Sequence, residues 1–571
     1  MTRHESLQID TVLTDSELNE LSSLLFPEVT EVPTDLDIRY PSRNLPQSAA
    51  VTRFAPSPTG FVHIGGIYAS LISKMIATQS DGVFFLRIED TDQRREVAGG
   101  TAEIITAMKN FGVEPTEGYV AVDVQEGAYQ PYIQSQRTAI YAVYGKWLVE
   151  QGCAYPCFCS EEELAEIAKK QESVGLMKKG YYGEWAKHRD FTLDQIKTEL
   201  KMGKKFVLRV RAPQQSHPIH YTDLVRGEGG MESNTIDMVL IKSNSVPTYH
   251  FAHVVDDHLM RTTHVTRGQE WMPSLPLHVQ LFEMFEMAVP IYIHFSHIGK
   301  KEGGSVRKLS KRKDPEAAVS LYTEKGYHPV AVLEYLLNLA NSGFSEWRKQ
   351  YPDKEYLEFP FEAKKIGKNI ALFDQKKLDD ISRDIIAKMS TKQVFEAVTT
   401  WAKKYNLEFA ARIASNSGYA LQILGIERDQ ERPRKDIVAW SDLPNSISYF
   451  YDDLFHQENT DRLILPAEVS PEDAVKLLRS FIENYSESDD KERWVENSRT
   501  ISERLGFARE LKAFKEDPTK YKGHVGHLMA VLRFALTHLL NAPDLYQVMK
   551  VMGKQRVIDR LTFAIQQLHN H

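Results

Sequence analysis

The chain alternates short apolar runs with longer stretches whose apolar residues fall on one helical face. Val51-Thr52-Arg53-Phe54-Ala55 predicts a strand, broken at Pro56-Ser57-Pro58-Thr59-Gly60. Apolar residues then recur at Ile64, Ile67, Tyr68, Leu71, Ile72, Met75 and Ile76, which is helical spacing. Val83-Phe84-Phe85-Leu86 is short and wholly apolar, the pattern of a parallel strand covered on both faces. Strand, turn, helix and strand make a βαβ unit, so the expected class is α/β with a doubly wound sheet. Helical periodicity continues through 101–112 and 134–151. The stretch from about Phe158 to Val225 is polar and mixed, with one strand-like run at Phe206–Val210. Met238-Val239-Leu240-Ile241 restores the buried-strand signal, so the simplest topology is one parallel sheet interrupted by an inserted domain. From roughly 320 onward helical patterns dominate, as in Ala331–Leu339 and Leu528–Leu540, and no internal repeat or low-complexity tract is seen.

Ahead of Val51 the chain is different in kind. Residues 1–45 carry nine acids and three bases. Organelle transit peptides are rich in arginine and poor in acids, and secretory signals pair a basic start with an apolar core; neither fits. Thr14 and Glu17 are instead spaced as a capping box ahead of Leu18, Leu21, Leu24 and Leu25. A short helical extension packed on the body of a cytoplasmic protein is expected. No uncharged apolar run is long enough to span a bilayer, so no membrane contact is expected.

At 571 residues the chain exceeds one compact core, and three to five units are expected. Its 42% hydrophobic and 26% charged residues are ordinary for globular proteins. The three cysteines all lie between Cys153 and Cys159, which excludes a disulfide framework and suits a reducing compartment. A net charge of −8 gives no global sign of a nucleic-acid partner, so any such contact must be local. One basic patch stands out: within 297–315, Lys300, Lys301, Arg307, Lys308, Lys311, Arg312 and Lys313 face only Glu302 and Asp314.

Two segments carry candidate chemistry. Pro58–Gly66 lies between the first strand and its helix, where free N–H groups and the helix dipole suit a polyphosphate. Gly65 and Gly66 permit close approach of a base or ribose, and His63 can donate to phosphate oxygens. No G-x-x-x-x-G-K-[ST] loop is present. The second segment, Val306–Lys313, reads as a mobile loop whose Lys308 and Lys311 can close over a triphosphate and stabilise a leaving pyrophosphate. Taken alone, each segment reads more readily without chemistry, the first as a glycine-rich turn with a surface histidine and the second as a solvated basic loop.

Taken together, His63-Ile64-Gly65-Gly66 and Lys308-Leu309-Ser310-Lys311-Arg312 resemble the two signature motifs of class I aminoacyl-tRNA synthetases. Arg53–Gly60, Arg87–Asp92, Gln134–Arg137, Pro247–Ala252, Asp256-Asp257-His258 and Arg267–Trp271 look like the bacterial-type glutamyl-tRNA synthetases. The resemblance runs from about Val51 to the C-terminus and is densest through Asp314. It implies a Rossmann-like class I catalytic domain with an inserted α+β domain, followed by a helical anticodon-binding region. The segments expected on this basis are an N-terminal extension at 1–48, the first catalytic half at 49–150 and an acceptor-stem-binding insertion at 151–225. The second catalytic half at 226–300, a signature-loop and stem-contact region at 301–375 and the anticodon-binding region at 376–571 follow.

The resemblance further implies ATP-dependent ligation of L-glutamate to the 3′ end of tRNA(Glu) through a glutamyl-adenylate, releasing AMP and pyrophosphate. It assigns glutamate to Arg53, Ala55, Ser57, Glu89, Tyr249, His253 and Arg267, and ATP to His63, Gly65, Glu270, Trp271, Lys308 and Lys311. His63, Lys308 and Lys311 carry the catalytic roles, and Mg²⁺ accompanies the nucleotide. Many relatives have asparagine where His253 stands, and a small residue such as Gly66 is common in this subfamily. Arg432 and Arg434 fall where relatives place an arginine against the third anticodon base, and a monomer is expected. Asp256-Asp257 reads as a metal pair or as structural carboxylates. Some relatives bind zinc at the position of Cys157-x-Cys159, but the downstream stretch Tyr181–His188 has no cysteine, and only Cys153 and His188 remain to complete four ligands. No metal site is therefore expected. A glutaminyl enzyme would carry P-E-P-N-G and D-D-T-N where this chain has Pro56–Gly60 and Glu89–Asp92, and would end in β-barrels. The truncated tRNA-modifying relatives lack an anticodon-binding region. Intact His63, Lys308 and Lys311 speak against an RNA-binding paralogue without activity.

Overall fold

The computed structural model describes residues 7, 9–60, 62–92, 95, 97–310, 312–457 and 464–569. Contacts gather the chain into two compact units, Met1–Leu321 with Val332–Asp374, and Tyr322–Ala331 with Gln375–His571.

In the first unit the extension forms helices α1 (Asp15–Leu25) and α2 (Pro33–Arg39). The capping box forms as read: the Glu17 N–H donates to Thr14 Oγ1, and the Thr14 N–H donates to Glu17 Oε2 at 2.8 Å. Leu18, Leu21 and Leu25 are buried, whereas Leu24 faces solvent. After the extension come β1 (Val51–Phe54), α3 (Ile64–Gln79), β2 (Val83–Leu86), α4 (Gly100–Asn110), β3 (Glu117–Ala121) and β4 (Val124–Glu126). They build a sheet of order β1-β2-β3-β4, parallel through β3 and closed by antiparallel β4. The chain continues through α5 (Thr138–Glu150), β5 (Ala154–Cys157), α6 (Glu161–Ser173), α7 (Leu193–Lys201), β6 (Val207–Val210), β7 (Pro218–Asp223), β8 (Gly227–Glu232), β9 (Val239–Ile241), α8 (Tyr249–Leu259), β10 (His264–Gly268), α9 (Leu275–Met284) and β11 (Ile291–Phe295).

A second sheet has the order β10-β11-β7-β8. β1 and β10 are tied edge to edge: the Thr263 N–H donates to Val51 O at 3.0 Å and the Val51 N–H donates to Thr263 Oγ1 at 2.8 Å. The carboxyl ends of these two strands therefore open onto one crevice, the place where open α/β sheets bind ligands. Strand pairing departs from the sequence reading in one respect. The apolar run at Met238–Ile241 gives β9, which pairs antiparallel with β6 of the insertion, while β7 lies parallel to β11 through Asp223 and Tyr292. The run of β9 is apolar and mostly buried, and burial alone does not specify a partner; β7 alternates exposed and buried residues and gives no such signal.

The basic window is also more ordered than a mobile loop. Ile298–Glu302 (β12) and Ser305–Lys308 (β13) pair as an antiparallel hairpin, with β12 also parallel to β14 (Ala371–Leu372). Its turn needs glycine, because Gly303 and Gly304 both have positive φ, at 54° and 88°.

The second unit is helical, as read. Thr391–Tyr405, Pro471–Asn484, Val525–Thr537 and Lys554–His569 pack around Val394, Leu477, Leu478, Val531, Leu532 and Leu561. Ser390 and Ser470 cap the first two of these helices. Among the described residues no helix is long and apolar enough to cross a membrane.

Candidate active site

A cavity of about 460 Å³ opens at the carboxyl ends of β1 and β10. Its lining brings together Arg53, Ala55, His63, Gly65, Glu89, Tyr249, Arg267, Glu270, Trp271 and Lys308. These are ten of the residues that sequence reasoning named. Ser57 is exposed outside the lining, and His253 is wholly buried, stacked behind Tyr249 with ring centroids 5.8 Å apart. Lys311 lies outside the described residues.

At the floor, Arg53 leaves the end of β1 and is 4% exposed. Its Nε donates to both Asp257 oxygens at 3.2 and 3.3 Å, and its Nη1 to Thr266 O at 3.3 Å. Asp257 also accepts from Arg87 Nη1 at 2.6 Å. Burial works against ionisation of Asp257, but Arg53 and Arg87 hold its carboxyl well below the usual range. Asp256 accepts from Arg137 Nε at 2.7 Å, from Gln134 Nε2 at 2.9 Å and from the Tyr141 hydroxyl at 2.8 Å. The Asp256-Asp257 pair is thus engaged by arginine, glutamine and tyrosine side chains under the site, rather than by backbone amides. Glu89 accepts from Arg87 Nη2 at 2.9 Å and lines the cavity. Burial pushes its carboxyl up, against the pull of Arg87 and Arg53.

On the opposite wall, Arg267 stands on β10, 6% exposed. Its Nε donates to His294 Nε2 at 2.9 Å, and its Nη1 lies 3.1 Å from His278 Nδ1. Its Nη2 is buried with no hydrogen-bond partner among the described residues. A buried guanidinium nitrogen left unpaired is costly, and a bound acceptor relieves that cost.

The remaining wall is the expected helix start. His63 is the N-cap of α3, its Nδ1 accepting the Gly65 N–H at 2.9 Å. A Cβ on Gly65 would lie 3.0 Å from that same Nδ1 and crowd the cap. Lys308, at the end of β13, donates to Glu270 Oε1 at 2.6 Å, and Glu270 Oε2 lies 3.2 Å from His297 Nδ1. Trp271 packs on Tyr249 with ring centroids 4.5 Å apart. The chamber thus has an acid and two guanidinium groups at its floor and wall, and a helix N-terminus and a lysine at its mouth. That is a set for an amino acid below and a polyphosphate above.

Sequence reasoning missed His278, His294 and His297. His294 had a visible signal, as the polar member of Ile291-Tyr292-Ile293-His294-Phe295; the other two had none.

Two further groups lie apart. In the insertion, donor atoms of Cys157, Cys159 and His188 lie within 4.8 Å of one another. The Tyr181 hydroxyl is 3.5 Å from Cys159 Sγ and 3.2 Å from His188 Nδ1, while Cys153 is not among the clustered ligands. In the helical unit, Arg432 is exposed. Arg434 is bound two-pronged to Asp436 at 2.6 and 2.5 Å and borders a cavity of about 240 Å³ with Glu427, Ser446 and Leu539.

The parallel sheet, the capped helix start and the lysine-bearing hairpin define a class I synthetase core, and the chain belongs to the class I tRNA synthetases of the glutamate and glutamine type, whose catalytic-domain family matches residues 49–380. An anticodon-binding-domain family matches residues 433–565. Within the class, the chain is 43% identical to the glutamate–tRNA ligase of Clostridium perfringens (strain 13), covering 95% of this chain and 99% of that one. It is 42% identical to the glutamate–tRNA ligase of Acetivibrio thermocellus, covering 95% and 98%. A crystal structure of a glutamate tRNA ligase from Elizabethkingia meningosepticum with its amino acid superposes with a TM-score of 0.72 at 28% identity, covering 91% of this chain and 99% of that one.

Proposed function

We propose that this chain is a glutamate–tRNA ligase that joins L-glutamate to the 3′ end of tRNA(Glu) at the expense of ATP. The observation that carries the glutamate reading is the pair of guanidinium groups, Arg53 and Arg267, facing a cavity that also holds Glu89. A substrate with two carboxylates and one ammonium matches that charge pattern, whereas an amide side chain leaves a buried charge unpaired. Glu89 receives the ammonium, Tyr249 offers a hydroxyl, and Ala55 and Ser57 border the approach.

The reaction needs positioning and charge stabilisation, and no covalent enzyme intermediate. A carboxylate oxygen of glutamate attacks the α-phosphorus of ATP, the bond to the bridging oxygen breaks, and pyrophosphate leaves. His63 and the positive end of the α3 dipole hold phosphate oxygens. Lys308, released from Glu270, and Lys311 neutralise charge on the departing pyrophosphate. Mg²⁺, brought by the nucleotide, would share that charge. A ribose hydroxyl of the terminal adenosine, the 2′-hydroxyl in this class, then attacks the adenylate carbonyl, and AMP leaves. Arg432 and Arg434 contact the anticodon loop. The enzyme acts as a monomer in the cytoplasm.

The test is ATP–pyrophosphate exchange with tRNA present. Glutamate-dependent exchange is expected, and Lys311→Ala should lower kcat more than it raises the KM for ATP. A change confined to KM would restrict Lys311 to ground-state binding, and exchange with no dependence on glutamate would sink the reading.

A further inference from the structure

The two guanidinium groups of the cavity are held in opposite electrostatic ways. Arg53 is paired with a carboxylate, Asp257, so much of its charge is already answered. Arg267 is held by two imidazoles. His294 Nδ1 lies 2.6 Å from Asp223 Oδ2, and Asp223 is itself fixed, its Oδ1 accepting the N–H groups of Val225 and Arg226 at 2.9 and 3.0 Å. A carboxylate accepts only, so His294 carries its proton on Nδ1 and presents a bare Nε2 to the Arg267 Nε–H. By the same logic His278 accepts the Arg267 Nη1–H at Nδ1, and its Nε2–H donates to His250 Nδ1 at 2.9 Å. This chain of donors and acceptors closes only if each imidazole is neutral. Burial holds both His278 and His294 below the ordinary histidine range, which is consistent with that. Strand register delivers one support, since Arg267 and His294 are Cα partners across β10 and β11. α9 delivers the other. The face of the Tyr292 ring lies 4.8 Å from the guanidinium carbon.

We propose that Asp223, His294 and His278 are positioning residues that fix the plane of Arg267 through neutral acceptors, aim its unpaired Nη2 at a substrate carboxylate and leave its positive charge uncompensated for that carboxylate. The proposal rests on the glutamate reading above. Two supports that accept hydrogen bonds without carrying charge hold the group still while preserving its attraction for an anion, which a carboxylate in either place would not do.

The test is aminoacylation kinetics on the full chain with saturating ATP and tRNA(Glu), reading KM for glutamate beside KM for ATP. His294→Leu removes the acceptor and is expected to raise the glutamate KM on the order of 10- to 100-fold, leaving the ATP KM within about twofold. His294→Gln puts an uncharged acceptor back and is expected to recover most of the loss. His294→Glu restores an acceptor that carries charge and is expected to remain as poor as His294→Leu. Should His294→Leu fail to fold, His278→Leu against His278→Asn makes the same comparison. Equal glutamate KM in the Leu and Gln variants, or full recovery in the Glu variant, overturns the proposal. Arg267→Ala separates that failure from failure of the underlying reading: if it leaves the glutamate KM unchanged, Arg267 does not bind glutamate at all.

Discussion

The carboxylate at position 257 shows how one residue serves both stability and the site. Its folded pKa lies well below the unfolded value of about 4, so the stability it contributes is full above that value. That stability is lost as pH falls through the folded pKa. Thermal midpoints should therefore hold steady from neutral pH down to about 5 and fall below about 4. Asp257→Asn should be less stable at pH 7 and show a shallower acid slope; an unchanged slope would place the acid-labile group elsewhere. The cysteine cluster makes a second residue-scale prediction. From sequence only Cys153 and His188 could complete a set of four, and Cys153 is not in the cluster, but the Tyr181 hydroxyl stands beside Cys159 and His188 where a fourth donor is needed. Two thiols, an imidazole and a phenol fit a tetrahedral zinc that would fasten the insertion, away from the chemistry. Elemental analysis is expected to find about one zinc per chain, lost in His188→Ala; zinc-free wild-type protein of unchanged thermal midpoint would contradict this. Arg53 and Glu89 were legible because they stand in motifs. The supports of Arg267 were not, since Asp223, His278 and His294 come from three elements that only the fold makes neighbours.

Among elements, the extension and the hairpin make separable predictions. Arg43 donates twice to Glu117, at 2.8 and 2.7 Å, and twice to Met260 O, at 3.1 and 3.0 Å, with its guanidinium carbon 4.0 Å from the Tyr129 ring. It joins the extension to both halves of the catalytic core. Arg43→Ala leaves the half-buried Glu117 carboxylate without its charged partner, with the Tyr132 hydroxyl still donating to it, and should cost about 2–3 kcal/mol, a drop of a few degrees in the thermal midpoint. Kinetics at a permissive temperature should be unchanged; an altered glutamate KM would mean the extension shapes the site. In the hairpin, valine at Gly303 or Gly304 meets a left-handed backbone at a cost of about 1–2 kcal/mol. That should loosen the strand bearing Lys308 and lower kcat several-fold, with the glutamate KM unaffected. Glycine pairs flanked by basic residues were readable as a loop. That the flanks pair as strands was not, because Lys and Arg in a strand give no buried alternation.

For the molecule as a whole, the βαβ start at Val51 and the helical end were legible because their apolar periods are regular, whereas the polar stretch from about Phe158 to Val225 hid most of its helices and strands. Strand partners were not legible: the run read as returning to the parallel sheet gave β9, which pairs with β6, while β7, which gave no strand signal, lies beside β11. The helical unit was read correctly in kind, but not the clasp of Arg434 on Asp436. The anticodon contact proposed for Arg434 would have to use the donors that Asp436 does not engage. Arg434→Gln should change the ratio of charging between tRNA(Glu) and tRNA(Gln); an equal loss on both, with a flatter salt slope, would make it a phosphate contact. The most direct measurement for the enzyme as a whole is transfer of labelled amino acid to purified tRNA in the presence of ATP, with glutamate and glutamine supplied separately. Stable attachment of glutamate to the 3′ end of tRNA(Glu), with AMP released and glutamine inert, is the expected result. Attachment of glutamine, or no attachment with intact tRNA and ATP, would contradict it.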